Sequence, residues 1–230
     1  MINLAVFDMA GTTIDDGGAV YRALRSAVEE RGASVADADL QTWMGTDKVE
    51  AITQLLRLGG VEPEGSVVSE AFTRFREILR DTYREAPPVA IDGVVDAIRM
   101  LRERGVRVAL TTGFDDAVAL PLLDALGWTI GPDTTDTVDA VVTTSDVPAG
   151  RPAPYMIHRA MERTGVVDVR EVLAAGDTLV DIRAARNAGV VAVGVCTGAL
   201  SREDLETEPH DHVLDGVRDV PALLDTMVPA

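Results

Sequence analysis

Asn3-Leu4-Ala5-Val6-Phe7-Asp8-Met9-Ala10-Gly11-Thr12-Thr13 decides the fold. An apolar run stops at a carboxylate, and a glycine and two threonines follow closely. Runs that are apolar at nearly every position, rather than every second one, predict strands covered on both faces, as in a parallel sheet. Residues 106–110, 140–143, 172–175 and 190–195 have the same character. Between them lies helical spacing, as at Val94, Val95, Ile98 and Leu101, which supplies the crossovers that parallel strands require. The expected class is α/β. Polar residues stand where these strands end: Asp8, Thr111 with Thr112, and Asp177. Ligands of open α/β sheets gather at those carboxyl ends.

The interval between the first two strands is far longer than one crossover needs. It carries three apolar stripes at helical spacing: Val20, Leu24, Ala27 and Val28; Val49, Ile52, Leu55 and Leu56; Phe72, Phe75, Leu79 and Tyr83. Asp15-Asp16-Gly17-Gly18 and Ala86-Pro87-Pro88 break the chain on either side. The expected organisation is a Rossmann-like parallel-sheet core of residues 1–14 and 90–230, with a helical cap domain inserted at 15–89. Hinging at the breaks would close the cap over an active site.

A net charge of -17 over 230 residues argues against a nucleic-acid partner, whose phosphates would be repelled. The one cysteine, Cys196, excludes an internal disulfide and fits a reducing compartment. No apolar run reaches membrane-spanning length, and the chain opens directly on its first strand. The expectation is a cytoplasmic protein with no membrane partner. His210 and His212 lie in an acidic stretch that reads as a solvated loop, although their spacing suits a metal; Cys196 reads as a core residue.

Asp8 can be a turn or cap residue, or the head of a reactive loop. Asp177 and Asp181 are either a solvated helix start, sharing a face if helical, or ligands for a hard cation such as Mg²⁺. Convergence of Asp8 and Asp177 at one sheet edge would favour the cation. Arg151, within Pro148-Ala149-Gly150-Arg151-Pro152, is a loop cation or a partner for phosphoryl oxygens. Thr112-Gly113 ends a strand and offers a hydroxyl beside a permissive backbone.

In this order the motifs resemble those of the haloacid dehalogenase superfamily of phosphotransferases, over essentially the whole chain. The resemblance implies that Asp8 is the nucleophile, forming an aspartyl-phosphate. It places Mg²⁺ on Asp8, the Ala10 carbonyl and Asp177, supported by Asp181. Thr12, Thr112, Gly113 and Arg151 would hold the transferring group.

Ala10 narrows this. Most members carry there a second Asp that protonates the leaving oxygen, and alanine moves no proton. The chain is therefore inactive, uses another acid, or breaks a bond whose leaving group is not oxygen. Met44-Gly45-Thr46-Asp47-Lys48 resembles the cap segment of the phosphonatase-like branch, where the lysine forms an imine with a carbonyl substrate. Lys48 is the only lysine beside twenty arginines, and arginine cannot supply a neutral amine. Asp47-x-x-Glu50 places Lys48 in a first helical turn, where burial would have to favour the neutral amine. The implied function is Mg²⁺-dependent P–C cleavage of a small carbonyl-bearing phosphonate of the phosphonoacetaldehyde type. Asp8 and Lys48 would be catalytic, with Met44 and Gly45 at the substrate; analogy suggests a homodimer. The alternative is a phosphatase or phosphomutase for a small phosphate ester, with Lys48 binding charge. Ala51, Phe114 and Gly18 depart from the branch, which has histidine, tyrosine and cysteine there, so another proton carrier is required.

Overall fold

A computed structural model describes residues 1–227; the last three positions of the expected 90–230 segment lie outside the described residues. The chain divides into two compact units, Asp16–Pro88 and, around it in sequence, Met1–Asp15 with Val89 onward.

The intervening unit is helical: α1 (Ala19–Glu29), α2 (Asp37–Thr42), α3 (Lys48–Leu58) and α4 (Gly65–Glu85). α1 and α4 pack along each other, and α3 packs on both. Leu24, Val28, Leu55, Phe75 and Leu79 are buried in this unit, each stabilising it by roughly 1.5–3 kcal/mol. The stripe of α3 differs from expectation. Its buried residues are Lys48, Ala51, Ile52, Leu55 and Leu56, while Val49 is 42% exposed. That spacing (i, i+3, i+4, i+7, i+8) is the apolar face of an amphipathic helix, so Lys48 occupies a position that the pattern reserves for an apolar side chain.

The larger unit contains β1 (Leu4–Asp8), β2 (Ile14–Asp15), β3 (Val89–Ala90), β4 (Arg107–Thr111), β5 (Ala140–Val142), β6 (Val172–Gly176), β7 (Val191–Val195) and β8 (His212–Leu214). Its helices are α5 (Val94–Glu103), α6 (Asp116–Ala125), α7 (Tyr155–Thr164), α8 (Leu179–Ala188), α9 (Arg202–Leu205) and α10 (Val220–Thr226). Six strands form a parallel sheet in the order β5-β4-β1-β6-β7-β8. β2 and β3 pair antiparallel where the chain leaves and re-enters this unit. Leu4 and Val6 face the core that α7 and α8 cover, together with Met156, Ile157 and Ile182. Ala5 and Phe7, pointing the other way by strand alternation, are equally buried. The sheet is thus the doubly covered α/β layer that the apolar runs imply.

Several local readings change. Asp8 and Thr111 are the last residues of β1 and β4 rather than the first beyond them. His212 lies in the edge strand β8 rather than in a solvated loop. Its place beside β7 supplies the order that its polar neighbours hide. Val95 of α5 is 49% exposed, and the buried face uses Val94, Ala97, Ile98 and Leu101. Cys196 is half-buried just past β7, against the core rather than within it. No helix among the described residues is long and apolar enough to cross a membrane.

Candidate active site

β1 pairs with β4 on one side and β6 on the other, with Asp8 opposite Thr111 and Phe7 opposite Ala175. Successive strands run outward from β1 in both directions, so Asp8 sits at the switch point where such sheets bind ligands. Beyond it the chain turns at once. The Met9 carbonyl accepts from the amides of Thr13 and Ile14 at 2.9 Å, and the Thr13 hydroxyl donates to the Asp8 carbonyl at 2.9 Å. Gly11 makes the turn possible, with φ of 90° in a region that side chains disfavour.

Asp177 and Asp181 do not share a helical face. α8 begins at Leu179, so Asp177 stays in the loop after β6 while Asp181 lies in the first turn. There Asp181 is half of a capping box: its Oδ2 accepts from the Thr178 amide at 3.1 Å and from the Thr178 hydroxyl. Its Oδ1 lies 2.6 Å from Arg151 Nη1. Arg151 Nη2 lies 2.5 Å from Asp8 Oδ1 and donates to Thr111 Oγ1 at 3.3 Å. Thr12 Oγ1 donates to Asp177 Oδ1 at 2.9 Å. One fork-shaped guanidinium thus joins the ends of β1 and β4 to the start of α8.

Asp8, Asp177 and Asp181 are all buried, and one oxygen of each lies within 4.8 Å of the others. Against three carboxylates stands the guanidinium of Arg151, leaving an excess of two negative charges when all three are ionised. Burial pushes the Asp8 carboxyl up to about 6; repulsion from Asp181 adds to this, and Arg151 opposes it. Burial likewise holds Asp177 well above the usual carboxylate range, helped by Asp8 and Asp181. Such a cluster fits a divalent cation, which favours carboxylate oxygens and offsets the excess charge. The surroundings are shaped around these carboxylates. A β-carbon at Gly11 or at Gly198 would overlap Asp177, and one at Gly176 would overlap Asp181.

A pH test follows. Asp8 is raised from 3.8 to about 6, so its contribution to metal-free stability is present below about pH 4 and lost as pH rises through about 6. A bound cation reverses that loss but must displace the proton at low pH. Saturating Mg²⁺ is expected to raise Tm more at about pH 7.5 than at about pH 5, and Asp177→Asn to remove most of the difference. Equal shifts at both values in the unmodified chain would contradict the assignment.

Thr112 is buried, and its Oγ1 accepts from the Phe114 amide at 3.2 Å; the hydroxyl proton remains available for donation. Gly113 follows it directly in the turn. Ala10, beside Asp8, forms an isolated bridge with Ile14 and brings no titratable side chain.

The remaining sequence candidates belong to the helical unit. Met44 is buried, Gly45 has φ of 76°, and Thr46 Oγ1 donates to the Trp43 carbonyl at 2.7 Å. Asp47 caps α3, accepting from the amides of Val49 and Glu50 at 2.9 and 3.0 Å. The reciprocal half of the expected pattern is not seen; Glu50 Oε1 instead accepts from Gln54 Nε2 at 2.8 Å. Lys48 is therefore the first helical residue, 5% exposed, with Nζ donating to the Thr46 carbonyl at 3.1 Å. Asp47→Ala is expected to destabilise the chain by about 0.5–2 kcal/mol in urea unfolding. No change would mean that the cap does not anchor this turn.

Thr178, Thr197 and Gly198 were not singled out in the sequence. The signal was available for the last two: Val195-Cys196-Thr197-Gly198 ends a strand with the same Thr-Gly pair as Leu110-Thr111-Thr112-Gly113.

The profile of the haloacid dehalogenase-like hydrolases matches residues 2–189. A phosphonoacetaldehyde hydrolase of Bacillus cereus (strain B4264) is 32% identical over 224 residues, spanning 90% of this chain and 81% of that one. One from Parabacteroides distasonis is 30% identical over 227 residues, spanning 90% and 83%. Among solved structures, a hydrolase from Pseudomonas syringae aligns with a TM-score of 0.85 at 21% identity, covering 99% of this chain and 100% of that one. A phosphonoacetaldehyde hydrolase-like protein from Oleispira antarctica aligns at 0.82 and 23%, covering 98% and 92%. At those identities the structural likeness concerns the fold.

Proposed function

The chain belongs to the haloacid dehalogenase-like hydrolases, and from that premise we propose that it cleaves the P–C bond of a small carbonyl-bearing phosphonate such as phosphonoacetaldehyde. Asp8 takes the phosphoryl group and Lys48 activates the carbonyl. The observation that carries this is the position of Lys48. The only lysine of the chain occupies an apolar position on α3 and is 5% exposed. Lysine is among the residue types least often buried, so a lysine held there needs a reason beyond packing. The reading also agrees with the names of relatives about one-third identical in sequence.

Asp8, Asp177 and Asp181, with the Ala10 carbonyl, would hold Mg²⁺, which when bound stabilises negative charge on the phosphoryl oxygens. The chain's own groups account for the rest. The Lys48 amine adds to the carbonyl carbon, and water leaves to give a protonated imine. An Asp8 oxygen forms a bond to phosphorus as the P–C bond breaks. The electron pair of that bond passes into the imine, giving an enamine. Protonation and hydrolysis of the enamine release the carbonyl product and the free amine. Water attacking the acyl phosphate releases phosphate and restores Asp8. Arg151 and the Thr112 hydroxyl are the donors for the phosphoryl oxygens, while the Thr12 hydroxyl is committed to Asp177.

No step requires an acid at position 10, because the leaving group is carbon stabilised by the imine. Ala51, one helical turn from Lys48, carries no proton, so water serves imine formation. The assignment predicts that phosphonoacetaldehyde yields equal amounts of phosphate and acetaldehyde. Rapid hydrolysis of small phosphate esters with no phosphonate turnover would instead establish the ester phosphatase.

A further inference from the structure

Thr197 and Gly198 lie in the turn after β7, outside the motifs considered above, yet both bear on Asp177. A β-carbon at Gly198 would overlap Asp177 Oδ2 and lie 2.6 Å from its Cγ and 2.8 Å from its Cβ. Nothing in the backbone demands glycine here: Gly198 is absent from the glycines with positive φ. Space demands it. From the other side, a β-carbon at Gly11 would lie 2.8 Å from Asp177 Cγ. Thr197 joins these two walls, its Oγ1 donating to the Gly11 carbonyl at 2.6 Å. Thr12, next in sequence to Gly11, holds Asp177 Oδ1 at 2.9 Å.

We propose that Thr197 and Gly198 are positioning residues for the divalent cation, acting through Asp177. The bare backbone of residue 198 and the Thr197-braced Gly11 form a slot that admits the carboxylate in one orientation. This rests on the reading that Asp8, Asp177 and Asp181 hold Mg²⁺. A methyl group at 198 forces Asp177 to move while leaving every carboxylate in place. Loss of the Thr197 hydroxyl frees the Gly11 loop and leaves its carbonyl without that donor.

The test is calorimetric titration of Mg²⁺ into the metal-free full chain and its variants, with circular dichroism and metal-free Tm as folding controls. Gly198→Ala is expected to weaken Mg²⁺ binding by roughly 10–100-fold, the range seen when groups supporting metal ligands are altered. Thr197→Val should weaken it several-fold, and Thr197→Ser, which keeps the hydroxyl, should restore affinity. Asp177→Asn is the reference. If it loses Mg²⁺ while folded Gly198→Ala binds like the unmodified chain, the positioning role is overturned. Should Gly198→Ala not fold, equal Mg²⁺ affinity in Thr197→Val and the unmodified chain overturns it instead. Unchanged binding in Asp177→Asn would overturn the underlying metal assignment, a distinguishable result.

Discussion

Replacing Lys48 by arginine is expected to lower phosphonoacetaldehyde turnover by roughly 10⁴-fold or more, the scale of losing a covalent catalyst. The substitution keeps the positive charge, the long stem and donors for the Thr46 carbonyl that Lys48 Nζ reaches at 3.1 Å. It removes the capacity to become a neutral amine, because guanidinium stays protonated. An enzyme that used residue 48 only to attract an anion would retain much of its activity. Phosphate release by the purified variant, with circular dichroism as a folding control, separates the cases. A loss of no more than about tenfold would be the size of one weakened contact and would remove imine chemistry from the account.

The second large effect is expected at Asp8. An amide oxygen is a poor nucleophile, so Asp8→Asn should abolish phosphate release from any substrate, again by roughly 10⁴-fold or more. The two losses differ in kind. Asp8→Asn leaves Lys48 intact, so the imine should still form and the phosphonate should remain uncleaved upon it. Lys48→Arg leaves Asp8 intact but gives the P–C electrons nowhere to go. Rapid-quench analysis of Asp8→Asn should find bound, unhydrolysed phosphonate and no free phosphate. Continued phosphate release would mean that another group attacks phosphorus.

Much of the core was legible because parallel strands, buried on both faces, write themselves as unbroken apolar runs. Asp8 was visible as the residue at which such a run stops. β8 was not, because an edge strand is half-solvated and His212 lies among acidic residues. The helical stripes were legible except where chemistry interferes with pattern. Lys48 belongs to the buried stripe of α3, and a polar residue there shifted the apparent stripe to Val49. Asp177 and Asp181 were recognisable as a pair, but their spacing suggested one helical face. In the fold, a capping box uses Asp181 to start the helix and leaves Asp177 in the loop. Gly198 escaped notice because its constraint comes from Asp177, a residue close only in space.

Lys48 being the only lysine makes the central claim easy to test. Borohydride would be added during turnover of phosphonoacetaldehyde, and the peptides then mapped by mass. The account predicts a stable reduced adduct on Lys48, absent without substrate and absent in Lys48→Arg. Full turnover with no adduct at residue 48 would contradict it.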